Sequence, residues 1–190
     1  MQVGGFPTSC VVNSFATDAS GTIDVTTGES SVNIQLASRV FITLGQPTPC
    51  PTCVSGACSY GDNTGGACTS DNSQGTTLDC PPNAGTFVAT LGVDLSPLTT
   101  GPNTVTAADG IFCPGIGQSS PGAFGHADAQ SITQTGVPAG DGSDGLAHPA
   151  TLVSNFCIPV TGSQALDSLA DLPGPGSLSL PGEAQFVVVP

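Results

Sequence analysis

Ser31-Val32-Asn33-Ile34-Gln35-Leu36 alternates polar and apolar residues without a break, and after Ala37-Ser38 the rhythm resumes at Val40, Ile42 and Leu44. A period of two puts Val32, Ile34 and Leu36 on one face of an extended chain. Upstream, Gly21-Thr22-Ile23-Asp24-Val25-Thr26-Thr27-Gly28 alternates in the same way between two glycines, and Thr27-Gly28-Glu29-Ser30 reads as the connection of a hairpin. This stretch decides for β structure, and the rest of the chain repeats its theme. Phe87, Ala89, Leu91, Val93 and Leu95 share one predicted face, Asn103 to Ala107 offers a short strand, and Thr151 to Ile158 offers another. A turn or two of helix is expected around 163–171, with Ser163 as cap, Leu166, Leu169 and Ala170 at helical spacing, and Pro173 as a stop. Short strands separated by turn-rich segments predict an all-β, disulfide-stapled β-sandwich with long irregular Cys-rich and Gly/Pro-rich loops. Residues 1–190 are read as a single domain, with 45–85 as a cross-linked insertion or subdomain.

That insertion holds five of the eight cysteines, at Cys50, Cys53, Cys58, Cys68 and Cys80, and few large apolar groups. Such a stretch builds no core of its own, so covalent links must hold it. Two chemistries suit the spacing. A Cys-x-x-Cys run can hold zinc, but zinc sites usually pair two such knuckles and only Cys50/Cys53 qualifies, so disulfides are preferred. The three remaining cysteines, Cys10, Cys113 and Cys157, lie outside the cluster. If all eight pair within the chain, an odd number of bridges must join cluster to body. A redox role for Cys50-Pro51-Thr52-Cys53 lacks the helix and the basic neighbours that lower a thiol pKa.

Cys50-Pro-x-Cys53 and Gly56-Ala57-Cys58-x-x-Gly61-x3-Gly65-x-x-Cys68-Thr69 resemble Cys-rich segments of an uncharacterised family of large predicted secreted bacterial proteins. Leu78-Asp79-Cys80-Pro81-Pro82, Phe112-Cys113-Pro114-Gly115 and Leu172-Pro173-Gly174-Pro175-Gly176 are similar to the same group. The resemblance spans most of the chain, implies secretion and disulfides, and carries over no catalytic residue.

Composition removes whole classes of function. One Lys+Arg against 14 Asp+Glu gives a net charge of −13. A nucleic-acid partner needs Lys and Arg to replace counterions on phosphates, and Arg39 is alone. Anionic membranes would repel the chain for the same reason. Without lysine there is no Schiff-base nucleophile and no phosphate-loop lysine. No window has the apolar length of a membrane helix. Residues 1–5 lack the basic start and apolar run of a signal peptide, so an export signal is expected to have been removed or to lie outside this stretch. No Asn-x-Ser/Thr acceptor occurs.

Candidate sites are few. His126 and His148 are the only histidines, both in Gly/Pro-rich surroundings, where exposed and idle rings are expected. A metal pair with Asp128 is one use for them. No Gly-x-Ser-x-Gly elbow presents a nucleophile, and glycoside chemistry lacks its stacking rings, since Trp is absent and Tyr60 is the sole tyrosine. Asp141-Gly142-Ser143-Asp144-Gly145 places two carboxylates three apart in a flexible loop, a hard-oxygen arrangement that suits Ca²⁺, and Asp62-Asn63 and Asp71-Asn72 are thinner versions. Apart from this calcium, no cofactor is expected. If folding crowds the carboxylates, their pKa values rise and stability is gained as pH falls toward about 5. Gln185-Phe186-Val187-Val188-Val189 reads as an uncharged terminal strand, and Phe186 to Val189 as a candidate for pairing with a neighbouring subunit.

The expected function is a non-catalytic module, secreted or on the cell surface, that is structural or self-associating, filaments and surface layers being its natural forms. Its expected partner is itself. A Ca-dependent or glycan-binding adhesive module is the alternative.

Overall fold

The computed structural model describes residues 8–108, 112–113 and 129–187. Among these, strands dominate. They are β1 (Thr8–Phe15), β2 (Ser20–Ile23), β3 (Ser30–Asn33), β4 (Gln35–Thr43), β5 (Cys53–Val54), β6 (Ala57–Cys58), β7 (Phe87–Asp94), β8 (Leu98–Thr99), β9 (Pro102–Ala107), β10 (Gln130–Thr135), β11 (Ala147–Ile158) and β12 (Gly174–Gln185). A single 3-10 turn, Ala84–Thr86, and a helix, α1 (Gln164–Ala170), complete the described elements. The protein is all-β and disulfide-stapled, with sheets of order β1-β4-β7, β10-β9, β12-β11-β8-β3-β2 and β5-β6. Four bridges close it: Cys10–Cys50, Cys53–Cys68, Cys58–Cys80 and Cys113–Cys157. No helix among the described residues is long and apolar enough to cross a membrane.

The chain forms two compact units, residues 1–13 with 38–90 and residues 14–37 with 91–190. The cysteine-rich stretch 45–85 therefore belongs to a unit that also contains most of β1 and part of β4 and β7, where the sequence pattern predicts an insertion in one domain.

Among the described residues of the first unit the buried apolar groups are Cys10, Val40, Phe41, Cys58 and Cys80, with Pro51 and Pro82. Half-cystines thus stand where a larger core would have aliphatic side chains. The Phe41 and Phe87 rings meet edge-on with centroids 5.6 Å apart, and the Arg39 guanidinium lies over both. Here β4 departs from the face predicted for it. Val40 is buried, but Leu44 is 62% exposed, while the alternate residues Phe41 and Thr43 are buried. Both faces of β4 are covered toward its end, so simple alternation does not describe its burial.

In the second unit β2 and β3 form the predicted hairpin, with Gly21 opposite Val32 and Ile23 opposite Ser30. Asp24 N–H donates to Glu29 O and Gly28 N–H to Asp24 O, each at 2.8 Å. Gly28 is required twice over: its φ is +71°, and a Cβ there would lie 2.4 Å from Gly140 N. Leu91, Val93 and Leu95 are buried on the predicted face and are joined in this unit's core by Leu98, Ala107, Val153 and Leu166. The helix lies where predicted, but Ser163 does not cap it through its side chain. Asp167 instead accepts from the N–H and Oγ1 of Thr161, at 2.7 and 2.6 Å.

Two of the strands that the sequence pattern does not predict are β10 and β12. β10, Gln-Ser-Ile-Thr-Gln-Thr, pairs in full with β9. β12 spans twelve residues with two prolines and three glycines, and pairs with β11 along its whole length. Its edge position explains the composition. Thr151 N–H donates to Val137 O and Asn155 N–H to Asn103 Oδ1, both away from β12. Odd-numbered residues of β11 therefore turn their backbone polar groups away from β12, and even-numbered ones face it. The register pairs odd with odd, so Pro175 and Pro181 both lack their N–H on the outer side of an edge strand, where no ladder bond is lost.

Candidate functional site

The cysteine cluster is built on a hairpin. Ser55 and Gly56, at φ +52° and +80°, form the two-residue loop between β5 and β6, a geometry in which both central residues are left-handed. Cys53 and Cys58 stand directly opposite each other in it. Their N–H groups point outward, Cys53 to Gly75 O at 2.7 Å and Cys58 to Gly66 O at 2.9 Å. They are thus a non-hydrogen-bonded pair, the kind that brings side chains closest. Each nevertheless bonds elsewhere, Cys53 to Cys68 and Cys58 to Cys80. The sulfurs of Cys58, Cys68 and Cys80 lie within 4.8 Å of one another. Cys50 is not among them, because it crosses to Cys10 on β1. One bridge thus joins the cluster to the rest, an odd number as pairing of all eight requires, and Cys113–Cys157 closes the other unit.

The acidic loop holds its carboxylates in use. Asp141 Oδ1 accepts the Ser143 N–H at 2.9 Å, and Asp144 Oδ1 accepts the Leu146 N–H at 2.8 Å. His148 is not idle, contrary to expectation. It is the second residue of β11, and its Nε2 lies 2.9 and 3.0 Å from the two Asp144 oxygens. Hydrogen bonding to Ser143 lowers the Asp141 pKa, and hydrogen bonding to His148 lowers that of Asp144. Asp24, which accepts from Thr26 N, Thr26 Oγ1 and Thr27 N, is also lowered, chiefly by Thr26. The resolved carboxyl shifts are therefore downward, opposite to the crowding expected from net charge. Asp62 Oδ2 accepts from Ala84 N at 3.0 Å, and Asn72 Oδ1 from Gln74 and Thr76 N at 3.0 and 3.1 Å. Asn72 thus organises its own turn, while Asp62 reaches across to the 3-10 turn 22 residues on. His126 and Asp128 lie outside the described residues.

The terminal segment also differs from expectation. β12 ends at Gln185, and Phe186 and Val187 lie beyond it. Phe186 leaves it and lays its ring against Gly142, where a Cβ would clash at 1.8 Å. Val187 follows, 70% exposed, and Val188 and Val189 lie outside the described residues. The free strand is β12 itself, whose residues 179–183 are all exposed.

The first unit carries a cleft of about 610 Å³, lined by Ile42, Leu44, Tyr60 and Phe87 with the amides of Gln46 and Asn83. Tyr60 donates to Thr48 O at 2.8 Å, and burial pushes its pKa up. Among the described residues no carboxylate, histidine or cysteine lines this cleft, which offers apolar side chains and hydrogen-bonding groups.

Comparison with family models, with curated proteins and with solved structures finds no match.

Proposed function

We propose that the chain is a non-catalytic extracellular structural module that associates with copies of itself. The observation that carries this reading is the outer edge of β12. Ser177, Ser179, Glu183 and Gln185 turn their backbone N–H and C=O groups away from β11, on a strand exposed from 179 to 183. Such an edge is a template for another strand. The five-stranded sheet has its second edge at β2, whose four residues are all exposed. Pairing β12 with β12 of another copy closes a two-fold dimer, whereas pairing β12 with β2 repeats without closure and gives filaments or layers. Four disulfides support an oxidising compartment, and they suit a material that must persist outside a cell.

The test is electron microscopy and sedimentation of the purified chain beside a Ser179→Pro variant. The substitution removes one outward N–H in the phase already occupied by Pro175 and Pro181, so β11–β12 pairing survives. Parent assembly that the variant loses, with melting unchanged, is the expected result. A parent that stays monomeric at every concentration, or a variant that assembles like the parent, overturns the reading.

A further inference from the structure

The geometry points to a latent metal centre: once its two bridges are reduced, the β5–β6 hairpin cluster holds one thiophilic divalent cation, of the zinc class, on the thiolates of Cys53, Cys58, Cys68 and Cys80. The hairpin sets Cys53 and Cys58 side by side as a non-hydrogen-bonded pair, and Cys68 and Cys80 reach them through separate bridges. Three of the sulfurs already lie within 4.8 Å of one another, and the fourth, on Cys53, is attached to Cys68. A tetrahedral zinc site with bonds of about 2.3 Å needs its sulfurs about 3.8 Å apart. Reduction frees the Cys53 side chain, which the hairpin places opposite Cys58, to turn its sulfur toward the other three and complete the ligand set. Cys58 and Cys80 are buried, while Cys53 and Cys68 are partly open, which leaves an entry path. The Asn63 amide, anchored by donating to Asp79 O at 2.9 Å, lies 3.8 Å from the Cys58 sulfur and offers it an N–H. The spacing that looks like a zinc knuckle, Cys50 with Cys53, is not the pair that the hairpin presents, since the fold carries Cys50 across to Cys10 on β1.

The chemistry balances with a phosphine as reductant. Each bridge takes two electrons from the phosphine and its protons from water, giving two thiols, and the phosphine leaves as its oxide. The four thiols then release four protons to the buffer as the cation binds. Cobalt(II) is the probe, because tetrahedral thiolate coordination gives it an intense visible spectrum. The full chain is reduced, freed of phosphine under nitrogen and titrated. The expected result is one equivalent of cobalt with a tetrathiolate spectrum, displaced by zinc. Cys53→Ser/Cys68→Ser and Cys58→Ser/Cys80→Ser chains should each lose that spectrum, and a Cys10→Ser/Cys50→Ser chain should keep it. No thiolate spectrum in the parent overturns the inference. So does a spectrum that survives loss of Cys53 and Cys68, which would mean that loose thiols of an unfolded chain bind the metal, or one that disappears with Cys10 and Cys50.

Discussion

Asn155 on β11 and Asn103 on β9 are bonded twice: the Asn155 N–H donates to Asn103 Oδ1 at 2.8 Å, and Asn155 Nδ2 donates to the Asn103 carbonyl at 2.9 Å. Both residues are buried. The same Nδ2 donates to Ile132 O on β10, and Asn155 Oδ1 accepts from Ser177 Oγ on β12. One amide therefore fastens four strands, including the β9–β10 pair that shares no sheet with β11.

Replacing Asn155 with Ala should be among the most damaging single changes in this unit. It leaves two carbonyls and a hydroxyl without their partner, each costing about 1–3 kcal/mol when buried. A loss of about 2–4 kcal/mol in denaturant unfolding is expected. A loss below about 1 kcal/mol would mean that water reaches these groups.

The bridges should rank by the chain they enclose. Sequence separations of 15, 22, 40 and 44 correspond to chain-entropy contributions rising from about 3 to about 4 kcal/mol. Cys53→Ala/Cys68→Ala should therefore be the mildest of the four paired replacements. Unfolding of the four variants in urea checks the order, which fails if Cys10→Ala/Cys50→Ala proves milder.

Trypsin offers a test of connectivity. The single basic residue, Arg39, sits inside β4, so the folded chain should resist the enzyme. Under partial denaturation one cut is expected, and because Cys10–Cys50 spans Arg39 the two pieces should separate on a gel only after reduction. Fragments that part without reductant contradict that bridge.

The pH dependence follows from Asp24, Asp141 and Asp144. Their folded pKa values lie below the ordinary carboxyl value, so the stability they supply is present above that value and is lost as pH falls through the lowered ones. These groups predict a melting temperature that is flat from pH 7 to 5 and declines below about pH 4. A rise between pH 7 and 5 would show that mutual repulsion of the carboxylates outweighs their hydrogen bonds.

Gly176 lies opposite Phe156, and a Cβ on it would sit 2.1 Å from the ring. The aromatic ring covers a bare stretch of backbone on the edge strand, so Gly176→Ala must displace it. A cost of about 1–3 kcal/mol is expected in thermal or urea unfolding. A neutral outcome would mean that the ring moves aside freely.

Where the sequence was legible, and where it was not, has a common cause. The Leu91, Val93, Leu95 face announces itself because one side of the strand is dry and the other wet, and the β2–β3 hairpin because Gly28 marks the turn between two alternating runs. The burial of Phe41 does not follow from the Val40, Ile42, Leu44 rhythm, because both faces of β4 are covered at that point, which erases the period. β12 was missed because its prolines and glycines are turn-formers in any local reading, and only its edge position makes them harmless. β10 hides in a Ser/Thr/Gln stretch with little apolar contrast. The sulfur cluster was legible as a set of cysteines, but its pairing depends on the Ser55–Gly56 turn, which makes neighbours of Cys53 and Cys58 without joining them.

That turn has a cost during synthesis. In a chain whose hairpin has closed before its sulfurs are oxidised, the thiol nearest to each of Cys53 and Cys58 is the wrong one, and joining them yields a small dead-end ring. Recombinant yield should then depend less on oxidising strength than on an exchange catalyst able to reopen that ring, so a disulfide isomerase or a glutathione buffer should outperform air.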